Sequence, residues 1–114
     1  MRTIYKLCQR RAWLAAESGG LFRGTDVDAR DGFIHFSTAA QLAETAVKHF
    51  AGASDLMLVA VDAGALAAKL KWEPSRGGDL FPHLYGALPL SAVRWARPLA
   101  ERADGGHVIP ELEP

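Results

Sequence analysis

Two short segments hold the residue types that move protons and grip small ligands: Phe33-Ile34-His35-Phe36-Ser37-Thr38 and Phe81-Pro82-His83-Leu84-Tyr85-Gly86. Side chains alternate across a strand, so an extended first segment puts Phe33, His35 and Ser37 on one face. The same rule puts Phe81, His83 and Tyr85 on one face of the second. Each strand then offers an aromatic wall and a histidine on the same side. Side by side, the two would form a pocket with apolar walls and a few polar groups, the usual make-up of a ligand site. Histidine can take or give a proton near neutrality, and either ring nitrogen can hydrogen-bond a ligand. His35, His83 and Glu73 are the catalytic candidates, with Glu73 holding ribose-like hydroxyls or steadying developing positive charge. Tyr85 and Phe81 supply ring faces, and Tyr85 also supplies a hydroxyl. Ser37 and Thr38 open a helix whose free N–H groups suit an anion, and Arg23 is placed in a loop to reach a phosphate.

Every one of these residues also has a structural reading. A strand histidine can be a hydrogen-bonded packing residue, and Ser37 or Thr38 must cap the helix. Tyr85 can close the turn at Gly86, Arg23 can be solvated, and Asp26, Asp28 and Asp31 can fix turns. His35, His83 and Glu73 would make a two-histidine, one-carboxylate metal set, but they come from separate segments without a diagnostic spacing, so no metal is expected. A serine-hydrolase elbow and a glycine-rich phosphate loop are absent from the sequence.

The elements that must position these residues follow from pattern. Thr3 to Leu7 reads as a strand and Gln9 to Ser18 as a helix that turns Trp13, Leu14 and Ala16 to a core, stopped by Gly19-Gly20. Leu21 to Gly32 reads as a long irregular loop. Thr38-Ala39-Ala40-Gln41 is a capping box, and the helix behind it carries Leu42, Ala46, Val47 and Phe50 at helical spacing. Leu56 to Val61 is a buried central strand. Asp62 to Ala68 makes a turn with a short helical piece. Leu70 to Glu73 pairs briefly before Pro74 interrupts it, and Val93 to Leu99 is the last strand. Strands and helices do not alternate as a doubly wound fold requires. The expected fold class is α+β, a small curved, mixed or mostly antiparallel sheet carrying two main helices. Residues 1–100 form one globular domain and 101–114 a C-terminal tail.

The 114 residues are enough for one domain with a real core. Equal numbers of acidic residues and of Lys plus Arg give zero net charge, which argues against broad capture of nucleic acid or an anionic membrane. Cys8 is the single cysteine, so no internal disulfide forms, and it reads as buried filler in a reducing, cytoplasmic setting. No apolar run approaches a membrane span.

The two histidine blocks, with Asp31-Gly32 before the first and Trp72-Glu73 between them, resemble a family of bacterial and plant proteins catalogued as domain of unknown function 952. Trp13 and the strand from Asp55 to Asp62 match as well, so the likeness runs from about Ile4 to Leu99. That family is grouped with folds similar to ADP-ribosyltransferases, including RNA 2′-phosphotransferases. The resemblance implies an NAD-binding cleft in a split antiparallel sheet, with His35 on a ribose hydroxyl and Tyr85 stacked on nicotinamide. Glu73 would steady an oxocarbenium-like transition state, since breaking an N-glycosidic bond puts positive charge on the sugar. This chain departs from those enzymes in its short length, its mid-chain Glu73 and its lack of two stacked tyrosines at family spacing. Three functions stay open: an enzyme transferring or hydrolysing at a ribosyl or phosphoryl centre of a nucleotide or NAD, a non-catalytic module binding a small metabolite or a partner, and a structural or oligomeric role.

Overall fold

The computed structural model describes residues 2–114. Strand β1 (Thr3–Gln9) leads into helix α1 (Arg10–Gly19), then β2 (Leu21–Phe22), helix α2 (Asp26–Asp31), β3 (Ile34–His35) and helix α3 (Ala39–Phe50). The chain continues through β4 (Leu56–Asp62), β5 (Leu70–Ser75), β6 (Asp79–Leu84), β7 (Leu88–Pro89) and β8 (Val93–Pro98), with a 3-10 segment at Ala63–Lys69. The described strands pair antiparallel throughout, in orders β1-β4-β8, β2-β7 and β3-β6-β5. The fold is thus α+β, with three small sheets in place of the single curved one expected.

The continuous apolar run of β4 is explained by its central place, which buries both faces. Met57, Val59 and Val61 enter one core with Ile4, Trp13, Phe22 and Ile34, while Leu56, Leu58 and Ala60 enter another with Tyr5, Leu7 and Leu42. Helix α3 is held on the second core by Leu42 and Ala46 and begins at the expected capping box, with Thr38 Oγ1 accepting from the Gln41 N–H. A fully buried Leu such as Leu42 contributes roughly 1.5–3 kcal/mol over an exposed one. Among the described residues no helix is long and apolar enough to cross a membrane.

Several expectations are corrected. The stretch from Leu21 to Gly32 is not loop alone: it contains β2 and the six-residue α2, whose own capping box joins Thr25 and Asp28. Leu14 and Val47 face outward, 51% and 70% exposed, because the cores take the neighbouring positions Trp13 and Ala46. Pro74 does not interrupt β5, which pairs on to Ser75; β5 is an edge strand, where a missing N–H costs no ladder bond. The 101–114 tail, for which docking and fraying were both open, docks, with Ile109 and Leu112 on the second core and Tyr5 Oη donating to the Glu113 carbonyl at 2.7 Å.

Candidate functional site

His35 and His83 are cross-strand partners in the β3–β6 pair, so their side chains leave the same face. Their ring centroids lie 5.5 Å apart, edge to face. Ile34 and Leu84, the adjacent pair, point into the first core and hold the strands in register. Glu73 reaches the same face from β5, two residues along from Lys71, the partner of His83. Alternation therefore does bring the two imidazoles, Glu73 and Tyr85 together.

Each imidazole is held through Nδ1 by a carboxylate. His35 Nδ1 is 2.6 Å from Asp28 Oδ1, and His83 Nδ1 is 2.8 Å from Glu73 Oε1. The Tyr85 hydroxyl donates to the same Glu73 oxygen at 2.8 Å. Those two hydrogen bonds, His83 first, hold the Glu73 carboxyl below its usual range, and the bond to Glu73 pushes the Tyr85 phenol up. An ionised carboxylate only accepts, so each Nδ1 carries a proton; Nε2 of His83 is left for other use, whereas Nε2 of His35 lies against Asp31.

Asp28 is the deepest part of the site, 2% exposed. Burial works against its charge, but His35 and Lys6 outweigh it and hold the carboxyl well below the ordinary range. Lys6 Nζ lies 2.8 and 3.0 Å from the two carboxylate oxygens, and the backbone N–H groups of Thr25 and His35 donate to them at 2.8 and 3.1 Å. Lys6 sits between Ile4 and Cys8 on the first-core side of β1, and burial lowers its ammonium pKa against the pull of Asp28. Gly24 makes room for this arrangement: a Cβ there would meet the Asp28 Cβ at 2.8 Å, and its φ of 99° already disfavours other residues. Asp31 Oδ2 lies 3.0 Å from His35 Nε2 as an ion-pair contact, off the direction of an aligned hydrogen bond.

The structural readings given to Asp28 and Asp31 are thus incomplete, and Lys6 was missed. A lysine inside an otherwise apolar strand and the Thr25-x-x-Asp28 spacing were the signals in the sequence. A cleft of about 570 Å3 opens beside His35, lined by Lys6, Thr25, Asp28, Asp31 and Ser37 among others. Ser37 does not cap α3; its hydroxyl shares a 2.8 Å hydrogen bond with Thr45, and Thr38 does the capping. Thr38 and Phe81 line a separate cleft of about 520 Å3 with Trp72 and Arg2, one that neither His35 nor His83 lines. Arg23 is exposed and lines neither cleft. Cys8 is buried, its thiol pushed up to about 11, which makes it a poor nucleophile. Among the described residues no cluster of metal-ligating side chains is found.

An antiparallel α+β fold with two carboxylate-held histidines on one strand pair defines the class of this domain. The chain belongs to the family described as protein of unknown function (DUF952), which it matches over residues 7–96. It is similar to the crystal structure of protein CC0527 from Caulobacter crescentus, with 48% identity over 93% of each chain and a TM-score of 0.89. The solution NMR structure of CC0527 is similar too, with 49% identity over 93% of this chain and 91% of that one and a TM-score of 0.83. No curated protein matches the chain.

Proposed function

We propose that the protein is an acid–base enzyme, a transferase or hydrolase acting at a ribosyl or phosphoryl centre of a nucleotide-like small molecule such as NAD. The observation that carries this reading is the pairing: two imidazoles 5.5 Å apart, each oriented through Nδ1 by a carboxylate. Such a pair can supply a base to the attacking group and an acid to the leaving group, each worth roughly 10²–10⁴-fold when positioned. Glu73 Oε1 takes both hydrogen bonds of the second dyad, which leaves Oε2 to face positive charge on a sugar. The cleft beside His35 is of ligand size, and its place between β1 of one sheet and β3 of another supports the ADP-ribosyltransferase-like reading of the fold. Tyr85 contributes a ring face and Ser37 a polar wall; Thr38, Phe81 and Arg23 stand outside this cluster and serve only a ligand long enough to pass it.

The test is a panel of NAD, ADP-ribose and 2′-phosphorylated nucleotides, followed by product analysis and thermal melting. Turnover on one member that falls at least about a hundredfold in His35→Ala is the expected result. A ligand at about 100 times its Kd raises stability by roughly 2.7 kcal/mol, so binding without turnover is also visible. No turnover and no shift in melting across the panel would sink the proposal. A second reading, a non-catalytic binding module, is favoured by one feature: the Phe33 ring packs against both imidazoles, and His83 is only 5% exposed. On that reading His35→Ala weakens ligand retention and abolishes no reaction.

A further inference from the structure

Lys6 is an ammonium set into a strand that buries both of its faces, and its side chain is 7% exposed. Taking a charge out of water is expensive, so its place here calls for a cause. Its Nζ lies 2.8 Å from Asp28 Oδ2 and 3.0 Å from Asp28 Oδ1, and Oδ1 is the same atom that lies 2.6 Å from His35 Nδ1. Lys6 and His35 thus share one oxygen of one buried carboxylate. Among the described residues, Lys6 is the one cation besides the ring itself that touches Asp28. On the other side of the ring, Asp31 of α2 lies 3.0 Å from His35 Nε2 and is paired in turn with Arg30. His83 of β6 stands edge-on at 5.5 Å with Glu73 and Tyr85 behind it, and Asp26 and His49 line the cleft that His35 lines.

We propose that Lys6 is a positioning residue for His35: it supplies the counter-charge to Asp28 and so leaves the imidazole free to change charge. The inference rests on the reading of His35 as an acid–base group. Without Lys6, the only cation in contact with Asp28 would be the ring. A carboxylate 2% exposed is costly to leave uncompensated, so the ring would be held as imidazolium and could not act as a base. With Lys6 in place, ammonium and carboxylate cancel, and Asp28 keeps only its orienting part, accepting the Nδ1 proton. Lys6 thereby separates the fixing of the tautomer from the fixing of the charge. The exposed Glu73 needs no such partner, because solvent and the Tyr85 hydroxyl share its charge.

The experiment is an NMR pH titration of the His35 and His83 ring nitrogens in the wild type, in Lys6→Met and in the double variant Lys6→Met/Asp28→Asn. Lys6→Met should keep His35 doubly protonated to a pH at least about one unit above the wild type, a tenfold change in proton affinity. His83 should titrate as in the wild type, and the double variant, with both charges gone, should bring His35 back. A smaller or opposite shift in Lys6→Met, whatever happens to its melting temperature, overturns the proposal, since Lys6 is then a packing contact alone. If Lys6→Met does not fold, the double variant, which leaves neither partner unpaired, is compared with the wild type directly. His35 midpoints within about one unit of each other support the cancellation, and a larger drop in the double variant overturns it. No substrate enters the readout, so this inference fails in the titration, whereas the acid–base reading fails on the substrate panel.

Discussion

His35 and His83 face each other across one antiparallel pair, yet the carboxylates that hold them sit in opposite surroundings. Asp28 is 2% exposed and shares its charge with a buried lysine, whereas the Glu73 side chain is 36% exposed and shares its charge with a surface phenol. The same orienting contact is therefore built once into the core and once onto the rim. The core version is rigid and costly to disturb, since removing one partner strands the other in a low dielectric. The rim version can be altered with little effect on folding. A site that needs one fixed and one adjustable proton carrier gains from that division.

The largest effect should come from breaking the core version. Asp28→Ala leaves the Lys6 ammonium buried without a counter-charge, and should cost about 3–5 kcal/mol in a denaturant melt. A loss below about 1 kcal/mol would show that the pair is not buried as described. Gly24→Ala attacks the same dyad without touching a charge, by strain at positive φ and by collision with the Asp28 Cβ. It should cost more than about 1 kcal/mol.

Acid provides the next comparison. The folded-state value of Asp28 is depressed below the usual 3.8, so its contribution is fully present at neutral pH and fades as pH falls below about that value. Asp28→Asn should flatten the fall of stability between about pH 4 and pH 2, measured by urea melts across that range. An unchanged acid slope would contradict the pairing of Asp28 with Lys6 and His35. On the rim, Glu73→Gln should alter melting far less than Asp28→Ala does. The Tyr85 phenol, which Glu73 holds above its ordinary 10.0, should return toward that value in an ultraviolet titration of the variant. A phenol that stays where it was would show that the hydroxyl does not bond to Glu73 in solution.

The rim version was legible in the sequence and the core version was not, for a physical reason. His35 and His83 lie on strands, with Phe33 and Tyr85 at their ends, where alternation assigns faces, and Glu73 stands on the neighbouring strand with Trp72 as a marker. Lys6 and Asp28 meet across 22 positions, between the first strand and a six-residue helix too short to show a period. Gly24 looked like loop composition until the close approach of Asp28 gave it a cause. Similarly, Pro74 read as a breaker because nothing in the local pattern says that β5 lies at a sheet edge. Local rules recovered what neighbours in sequence decide; pairing between distant segments decided the rest.

Both versions depend on a proton at Nδ1 of each ring, and on Nε2 of His83 being left clear for a ligand. Nitrogen-resolved NMR of the histidine side chains at neutral pH reads this directly. The account predicts a protonated Nδ1 on both His35 and His83, with Asp28→Asn disturbing only His35 and Glu73→Gln only His83. A wild-type spectrum with a bare Nδ1 and a protonated Nε2 on His83 would contradict it.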